Sequence, residues 1–301
     1  MHISTLLRVT GRYADRENLA SGCFPTLILK GLVFMYTAGF IGCGNMGGAL
    51  CSAAAKAIGG NRVYASDFIK EKAKDLCTKI GANESTNEHI AKNCKYIFLG
   101  VKPQVMEQTV KEIAPFLKER QDRFIIVTMA AGLSISAITA MLRFDAPVIR
   151  IMPNTPASVG SGVILYCFEN SITDDEQKEF AEIFSFAGII DRIDEKLIDA
   201  ASAVSGCGPA FVYLFIEALA DGGVMCGLPR DKALSYAANT LKGAAEMVIK
   251  TSAHPGELKD AVCSPGGTTI EGVRALEEGS FRADSMNAVI KAYEKTLKLK
   301  K

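Results

Sequence analysis

The chain of 301 residues predicts an α/β unit followed by an all-α unit. Three observations carry that expectation. Short apolar runs alternate with helix-period segments as far as about residue 192, and strand-like runs then cease. A glycine-rich turn, Gly42-Cys43-Gly44-Asn45-Met46-Gly47, follows the first apolar run and opens a helix. Hydrophobic content of 49% and charged content of 22% suit an ordinary globular chain with room for about two domains. A formal net charge of +1 gives no electrostatic case for nucleic acid or an anionic membrane. Nine cysteines without a CxxC pair, and only three histidines, argue against a disulfide framework or a metal site. They argue for a reducing, cytoplasmic setting. No uninterrupted apolar run reaches the roughly 18 residues of a membrane helix, so no membrane partner is expected.

Residues 1–34 mix Arg8, Arg12 and Arg16 with Asp15 and Glu17, then give a late, broken apolar stretch. That order does not fit a signal peptide. The segment reads as an extension without a fold of its own, with Met35 as a plausible start. A first strand covers 37–41 and a small-residue helix 49–58. A second strand covers 62–66 and its helix 70–80. Runs at 96–101, 124–128 and 148–151 are further strands, with a helix over 104–117. Strands alternating with helices imply parallel βαβ units. Another strand covers 162–168, and Thr173-Asp174-Asp175-Glu176 starts a helix with acidic residues in its first turn. Beyond Arg192, helices are expected over 194–204, 209–222, 230–250, 257–262, 267–278 and 282–299. Pro209 and Pro229 sit well as first-turn prolines. The run Phe211-Val212-Tyr213-Leu214-Phe215-Ile216 is apolar on nearly every face and needs cover on all sides. A second subunit is the easier source of that cover. The expected organisation is an extension over 1–34, a dinucleotide-binding domain of Rossmann type over 35–192, and a helical substrate-binding and dimerisation domain over 193–301.

Each glycine of the turn has a separate task in that reading. Gly42 permits the tight turn, Gly44 lets backbone approach a pyrophosphate, and Gly47 allows close helix–strand packing. The helix start supplies N–H groups and a positive dipole end. A glycine-rich packing turn without a ligand is the plain alternative. Asp67 lies 20 residues beyond Gly47, where an acidic side chain binds the ribose hydroxyls of NAD. Ser66 beside it suits the 2′-phosphate of NADP instead, and Lys70 and Lys72 either add charge or form a solvated face. NADH and NADPH both stay open. Val101-Lys102-Pro103, Ala130-Ala131-Gly132 and Met152-Pro153-Asn154 follow later strands and should also face the cofactor.

Ketone reduction needs a general acid–base group near its operating pKa. His2 lies in the extension, His89 in a polar loop, and His254 before Pro255; none is well placed. Imine reduction asks less, because a protonated C=N already carries its charge; orientation, a dry pocket and one hydrogen-bonding group suffice. Ser264-Pro265-Gly266-Gly267-Thr268-Thr269 suits that task. Its glycines turn backbone N–H groups inward ahead of a helix, a nest for a carboxylate. Thr268 or Thr269 offers a hydroxyl to a ring nitrogen. An N-capped interhelical loop is the alternative.

Several segments in order resemble the pyrroline-5-carboxylate reductase family. They are Phe40 to Gly47, Val101-Lys102-Pro103, Arg150 to Pro156, Val204 to Ala210, His254 to Asp260 and Ser264 to Thr269. The resemblance spans residues 35–299. It implies hydride transfer from NADPH or NADH to C5 of 1-pyrroline-5-carboxylate, giving L-proline in the last step of proline biosynthesis. It implies that the backbone of Gly44, Asn45 and Met46 holds pyrophosphate, with Ser66 and Asn87 near the adenosine ribose. It places Val101, Lys102, Met152, Pro153 and Asn154 toward the nicotinamide. It makes Ser264, Gly267, Thr268 and Thr269 the substrate loop, with the Thr269 hydroxyl on the imine nitrogen. It also implies a homodimer with interleaved helical domains, and dimers joined into a decamer. Phe68 departs from the family, where a polar or basic residue often follows this serine. One rival is the β-hydroxyacid dehydrogenase group, which needs a lysine where this chain has Val212. No lysine occurs between Lys196 and Lys232. A non-catalytic dinucleotide sensor is the rival of another class. Asp67→Ser should move preference toward NADPH when kinetics are compared with both cofactors; an unchanged ratio removes Asp67 from the ribose site.

Overall fold

The structure, a computed structural model, describes residues 37–169 and 171–299; the expected extension over 1–34 lies outside them. Eight strands form one sheet in the order β3-β2-β1-β4-β5-β6-β7-β8. They are β1 (Ala38–Ile41), β2 (Val63–Ser66), β3 (Asn83–Glu84), β4 (Tyr96–Leu99), β5 (Ile125–Thr128), β6 (Val148–Pro153), β7 (Gly162–Phe168) and β8 (Gly188–Arg192). Helices α1 (Asn45–Ile58), α2 (Lys70–Ile80), α3 (Asn87–Asn93), α4 (Pro103–Lys118), α5 (Ile135–Leu142) and α6 (Asp174–Ile183) cover its two faces. Chain direction across the sheet reverses at β1, which pairs in parallel with both β2 and β4. Ile41 stands opposite Ser66 on one side and Leu99 on the other, so the residues leaving these three strands meet at one edge. Ligands of doubly wound sheets bind at such a switch point.

The central strands are buried on both faces, hence their unbroken apolar character. One layer stacks Phe40 on Phe98 with ring centroids 4.4 Å apart, and Phe184 meets Phe98 edge-on at 5.4 Å. The other layer packs Ile97, Leu99 and Ile126 against Met106, Val110 and Ile113 of α4. Burying each such side chain contributes about 1.5–3 kcal/mol.

The sheet departs from an all-parallel arrangement at β7, which runs antiparallel to β6 with Ile151 opposite Tyr166. Only a short link with one 3-10 turn, Thr155–Val159, joins the two strands, too little for a parallel crossover. The sequence reading also passed over β3, β8, α3 and α5. His89 is not in a loop but on α3, where Thr86 caps the helix by accepting the His89 N–H at 3.1 Å.

The remaining helices are α7 (Glu195–Ser205), α8 (Gly208–Met225), α9 (Arg230–Thr251), α10 (Pro255–Ala261), α11 (Thr268–Glu278) and α12 (Phe281–Leu299). Helix α8 packs on α9 through the small residues Ala220, Ala233 and Ala237, while α12 returns to lie on α7. Within one chain the cover that 211–216 requires is missing: Tyr213 and Leu214 are 58% and 68% exposed. Glu195–Met225 is a near-continuous helical run, long and apolar enough by length and composition to cross a membrane. The sequence reading left 205–208 between two helices, yet Gly206 and Cys207 keep helical backbone angles and carry the run through.

Two polar connections fasten this run to the sheet. Arg150 of β6 and Asp199 of α7, each 1% exposed, form a buried ion pair. Glu195 accepts from Arg150 at 3.4 Å and from the Ile135 N–H at the start of α5 at 2.8 Å. The Asn154 side chain donates to the Ser205 carbonyl at 2.9 Å and accepts from the Val163 N–H at 2.8 Å. Removing one member of a buried pair strands the other charge. Asp199→Ala should therefore cost about 3–5 kcal/mol in urea unfolding. Lys178→Ala, in an exposed pair with Asp175, should leave the midpoint unchanged.

Candidate functional site

The turn between β1 and α1 is built by backbone packed against backbone. Gly42 adopts φ +100°, a region that favours glycine, and its N–H donates to the Ser66 carbonyl at 2.8 Å. A Cβ on Gly47 would run into the Gly42 carbonyl oxygen, and one on Gly100 would stand 2.7 Å from that same oxygen. A Cβ on Gly44 would meet nothing within 4 Å. Gly42 and Gly47 thus serve the turn itself, while Gly44 leaves an open approach. Gly100, after β4, escaped the sequence reading; its signal was a glycine closing an apolar run directly before Val101.

Helix α1 begins at Asn45 with Gly44 as its N-cap, no capping side chain and no acidic residue in its first turn. Its N–H groups at Asn45, Met46 and Gly47 meet no acidic side chain there. An uncapped, positively polarised helix start beside an open glycine has the donor set and the room that a diphosphate needs. Asp67 secures this turn with both carboxylate oxygens, accepting the Cys43 N–H at 2.7 Å and the Ile69 N–H at 2.9 Å. Its role is therefore structural as well as any toward ribose. Burial, then the Asp67 charge, pushes the Cys43 thiol up to about 12, so it stays protonated and is no nucleophile.

At the end of β2, buried Ser66 donates to Asn87 Oδ1 at 2.6 Å, and Asn87 Nδ2 donates to Glu112 of α4 at 3.0 Å. Glu112 was not singled out from the sequence, since an exposed helical glutamate carries no pattern of its own. Phe68, next along, is fully exposed. With Lys56 and Lys79, Lys72 lines a cavity of about 720 Å³ running from Cys43, Gly44 and Asn45 along α1 and α2.

At the other end of the strand edge, Lys102 is the N-cap of α4 and Pro103 its first residue, beside half-buried Val101. Half-buried Ala131 precedes buried Gly132, which sits at φ +79° under Leu299 of α12; a Cβ there would stand 3.0 Å from the Leu299 Cβ. Met152 and Pro153 end β6. Asn154 follows them, but both ends of its amide are engaged within the protein, and it reads as a pin between β6, β7 and α7.

The Ser264–Thr269 loop turns at Gly266, φ +67°, and the Gly267 N–H donates to the Ser264 carbonyl at 3.0 Å. Gly267 is the N-cap of α11 without a capping side chain, and Thr268 and Thr269 are its first two residues. Ser264, Pro265, Gly266, Thr268 and Thr269 are exposed, and α11 packs on α12 without extensive contact to the sheet. The two glycine-rich segments therefore do not close on each other through the packing of one chain. His254 caps α10 by accepting the Gly256 N–H at Nδ1, 3.1 Å away, which assigns it a structural task. Among the described residues no group of three or more His, Cys, Asp or Glu is placed to hold a metal ion.

Two glycine substitutions separate the functions in the turn. Gly44→Ala should leave thermal stability unchanged while weakening NAD(P)H binding, measured by nicotinamide fluorescence. Gly47→Ala should lower both, because its methyl group overlaps backbone that cannot move aside.

Comparison with known proteins bears on the same elements. The family description "Pyrroline-5-carboxylate reductase dimerisation" matches residues 195–299, and "NADP oxidoreductase coenzyme F420-dependent" matches 37–132. The chain is 41% identical to the pyrroline-5-carboxylate reductase of Arabidopsis thaliana, covering 88% of this chain and 95% of that one. It is 39% identical to that of Escherichia coli K12, covering 87% and 98%. The crystal structure of Plasmodium falciparum pyrroline carboxylate reductase with NADP bound superposes with a TM-score of 0.80 at 36% identity, covering 89% and 99%. An uncapped glycine turn at the switch point, an uncapped α11 behind a second glycine loop, and identity over most of the length converge: the chain belongs to the pyrroline-5-carboxylate reductase family.

Proposed function

We propose that this chain performs the family reaction through the residues described above, reducing 1-pyrroline-5-carboxylate to L-proline. Bound NADH or NADPH supplies a hydride, and every other requirement falls on the protein. The N–H groups of Asn45, Met46 and Gly47, reached past Gly44, hold the diphosphate. Ser66, Asp67 and Asn87 border the adenosine ribose. Val101, Lys102, Pro103, Ala131, Met152, Pro153 and Asn154 shape the nicotinamide end. Ser264, Gly266 and Thr268 present N–H groups and a hydroxyl to the substrate carboxylate, and Gly267, its own N–H held by the Ser264 carbonyl, shapes the loop around it. The Thr269 hydroxyl holds the ring nitrogen while C5 accepts the hydride and the C=N bond becomes C–NH. Among the described residues neither His89 nor His254 stands at the turn, and an already protonated imine needs none.

The observation that carries this reading is the loop at Gly266 and Gly267. It feeds an uncapped helix with two threonines at its start, which is an anion nest with a hydroxyl beside it. Because α11 in one chain packs on α12 rather than the sheet, the loop meets the nucleotide groove when a second copy covers α8. Exposed Val212, Tyr213 and Leu214 are the surface that such a copy buries. We place the boundary between the two units at residues 192 and 193, a homodimer as the working unit, and a decamer as its further assembly. The eight described cysteines are free, which suits a reducing cytosol.

The direct test is oxidation of NADH or NADPH on adding pyrroline-5-carboxylate; cofactor binding without turnover would favour the sensor. Thr269→Ala should lower kcat about 10- to 100-fold, the loss of one hydrogen bond made to the reacting group. Cofactor affinity should stay unchanged, and loss of nucleotide binding instead would remove Thr269 from the substrate site. Sedimentation should give a dimer or larger, with Leu214→Glu shifting it toward monomer.

A further inference from the structure

We infer that Glu112, which lies on α4 and borders neither glycine-rich segment, sets the cofactor preference of this chain toward NADH by acting through Asn87. The inference rests on reading the edge of β1, β2 and β4 as an NAD(P)H groove, with Ser66 at its ribose end.

The argument is an accounting of donors and acceptors. A carboxylate only accepts, so Glu112, 3.0 Å from the Asn87 amide, obliges Asn87 to turn its NH2 group that way. The amide oxygen then faces Ser66 at 2.6 Å, and an amide oxygen also only accepts. The Ser66 hydroxyl must therefore spend its proton on Asn87. What Ser66 has left for a ligand is lone pairs. Its neighbour Asp67 likewise offers only acceptor oxygens, fixed in place by the Cys43 and Ile69 N–H groups.

A ribose 2′-hydroxyl brings a proton to such an edge and is satisfied. A 2′-phosphate brings acceptor oxygens and negative charge, finds no free hydroxyl proton on Ser66, and meets the like charge of Asp67 beside it. Phe68 follows Asp67 with no charge to offer. Lys72 lines the cavity that runs from Cys43, Gly44 and Asn45 along α1 and α2, on the diphosphate side and on the face of the sheet opposite α3 and α4. Glu112 is thus a positioning residue: it touches no ligand but fixes the polarity of the two side chains that do.

The polarity can be reversed. In Glu112→Lys the new side chain only donates, so Asn87 turns its oxygen toward α4 and its NH2 toward Ser66. The Ser66 proton is then released to the ligand. Dissociation constants for NADH and NADPH are measured by nicotinamide fluorescence on the purified full chain, independent of turnover. Wild type should bind NADH more tightly. Glu112→Lys should move the ratio of the two constants about tenfold toward NADPH, and that shift should largely vanish in an Asn87→Ala background, where no relay remains. Glu112→Gln, which can donate or accept, should fall between and carries the test if the lysine variant fails to fold. Tighter NADPH binding by wild type, an unchanged ratio in the variants, or an equal shift without Asn87 would each overturn the inference. Binding of both cofactors without pyrroline-5-carboxylate reduction would sink the functional reading and leave this one standing.

Discussion

The Gly42 carbonyl oxygen lies in a slot walled by backbone on two sides, with Gly47 at the start of α1 and Gly100 at the end of β4. Any side chain at either wall would push α1 away from β1 or separate β1 from β4. The helix would then no longer start where its N–H groups meet the strand edge, and the crevice between β1 and β4 would change width. Asp67 reinforces the same arrangement from β2 by holding the Cys43 N–H. Three segments distant in sequence, the 42–47 turn, Asp67 and Gly100, are therefore locked at one point, and the rest of the site is spaced from it.

How much of this was legible varied with its physical origin. The glycine turn could be read because steric exclusion leaves a fixed residue type at a fixed interval. The central strands could be read because burial on both faces imposes unbroken apolar runs. The antiparallel β7 depended on the length of its connection, which composition does not display. Strand β8 is an edge: Ile189 is 59% exposed and Asp191 and Arg192 are exposed too, so its pattern is diluted. Helix α3 is short and held by its Thr86 cap rather than by periodicity. Asn154 was expected at the cofactor from its place after β6; its further task, an amide bridging backbone that only the fold brings together, was not legible. Glu112 could not be found at all, since its meaning lies in the orientation of Asn87 and not in its own surroundings.

The two halves of the chain obey different rules. The sheet region is completed by its own helices, whereas α8 buries little beyond Ala220. Rigid coupling between them runs through Arg150 with Asp199 and through Asn154 with Ser205, both at the β6 end of the sheet. These contacts join α7 to the strand that ends in Met152 and Pro153. An apolar surface that waits for a second copy is thus tied at its root to the cofactor edge.

The seating of Leu299 on Gly132 joins two points of the chain 167 positions apart. The left-handed turn beside Ala131 is thereby roofed by the end of α12, a helix that otherwise lies on α7. Any change that lifts α12 off α7 would also unroof the turn that follows β5.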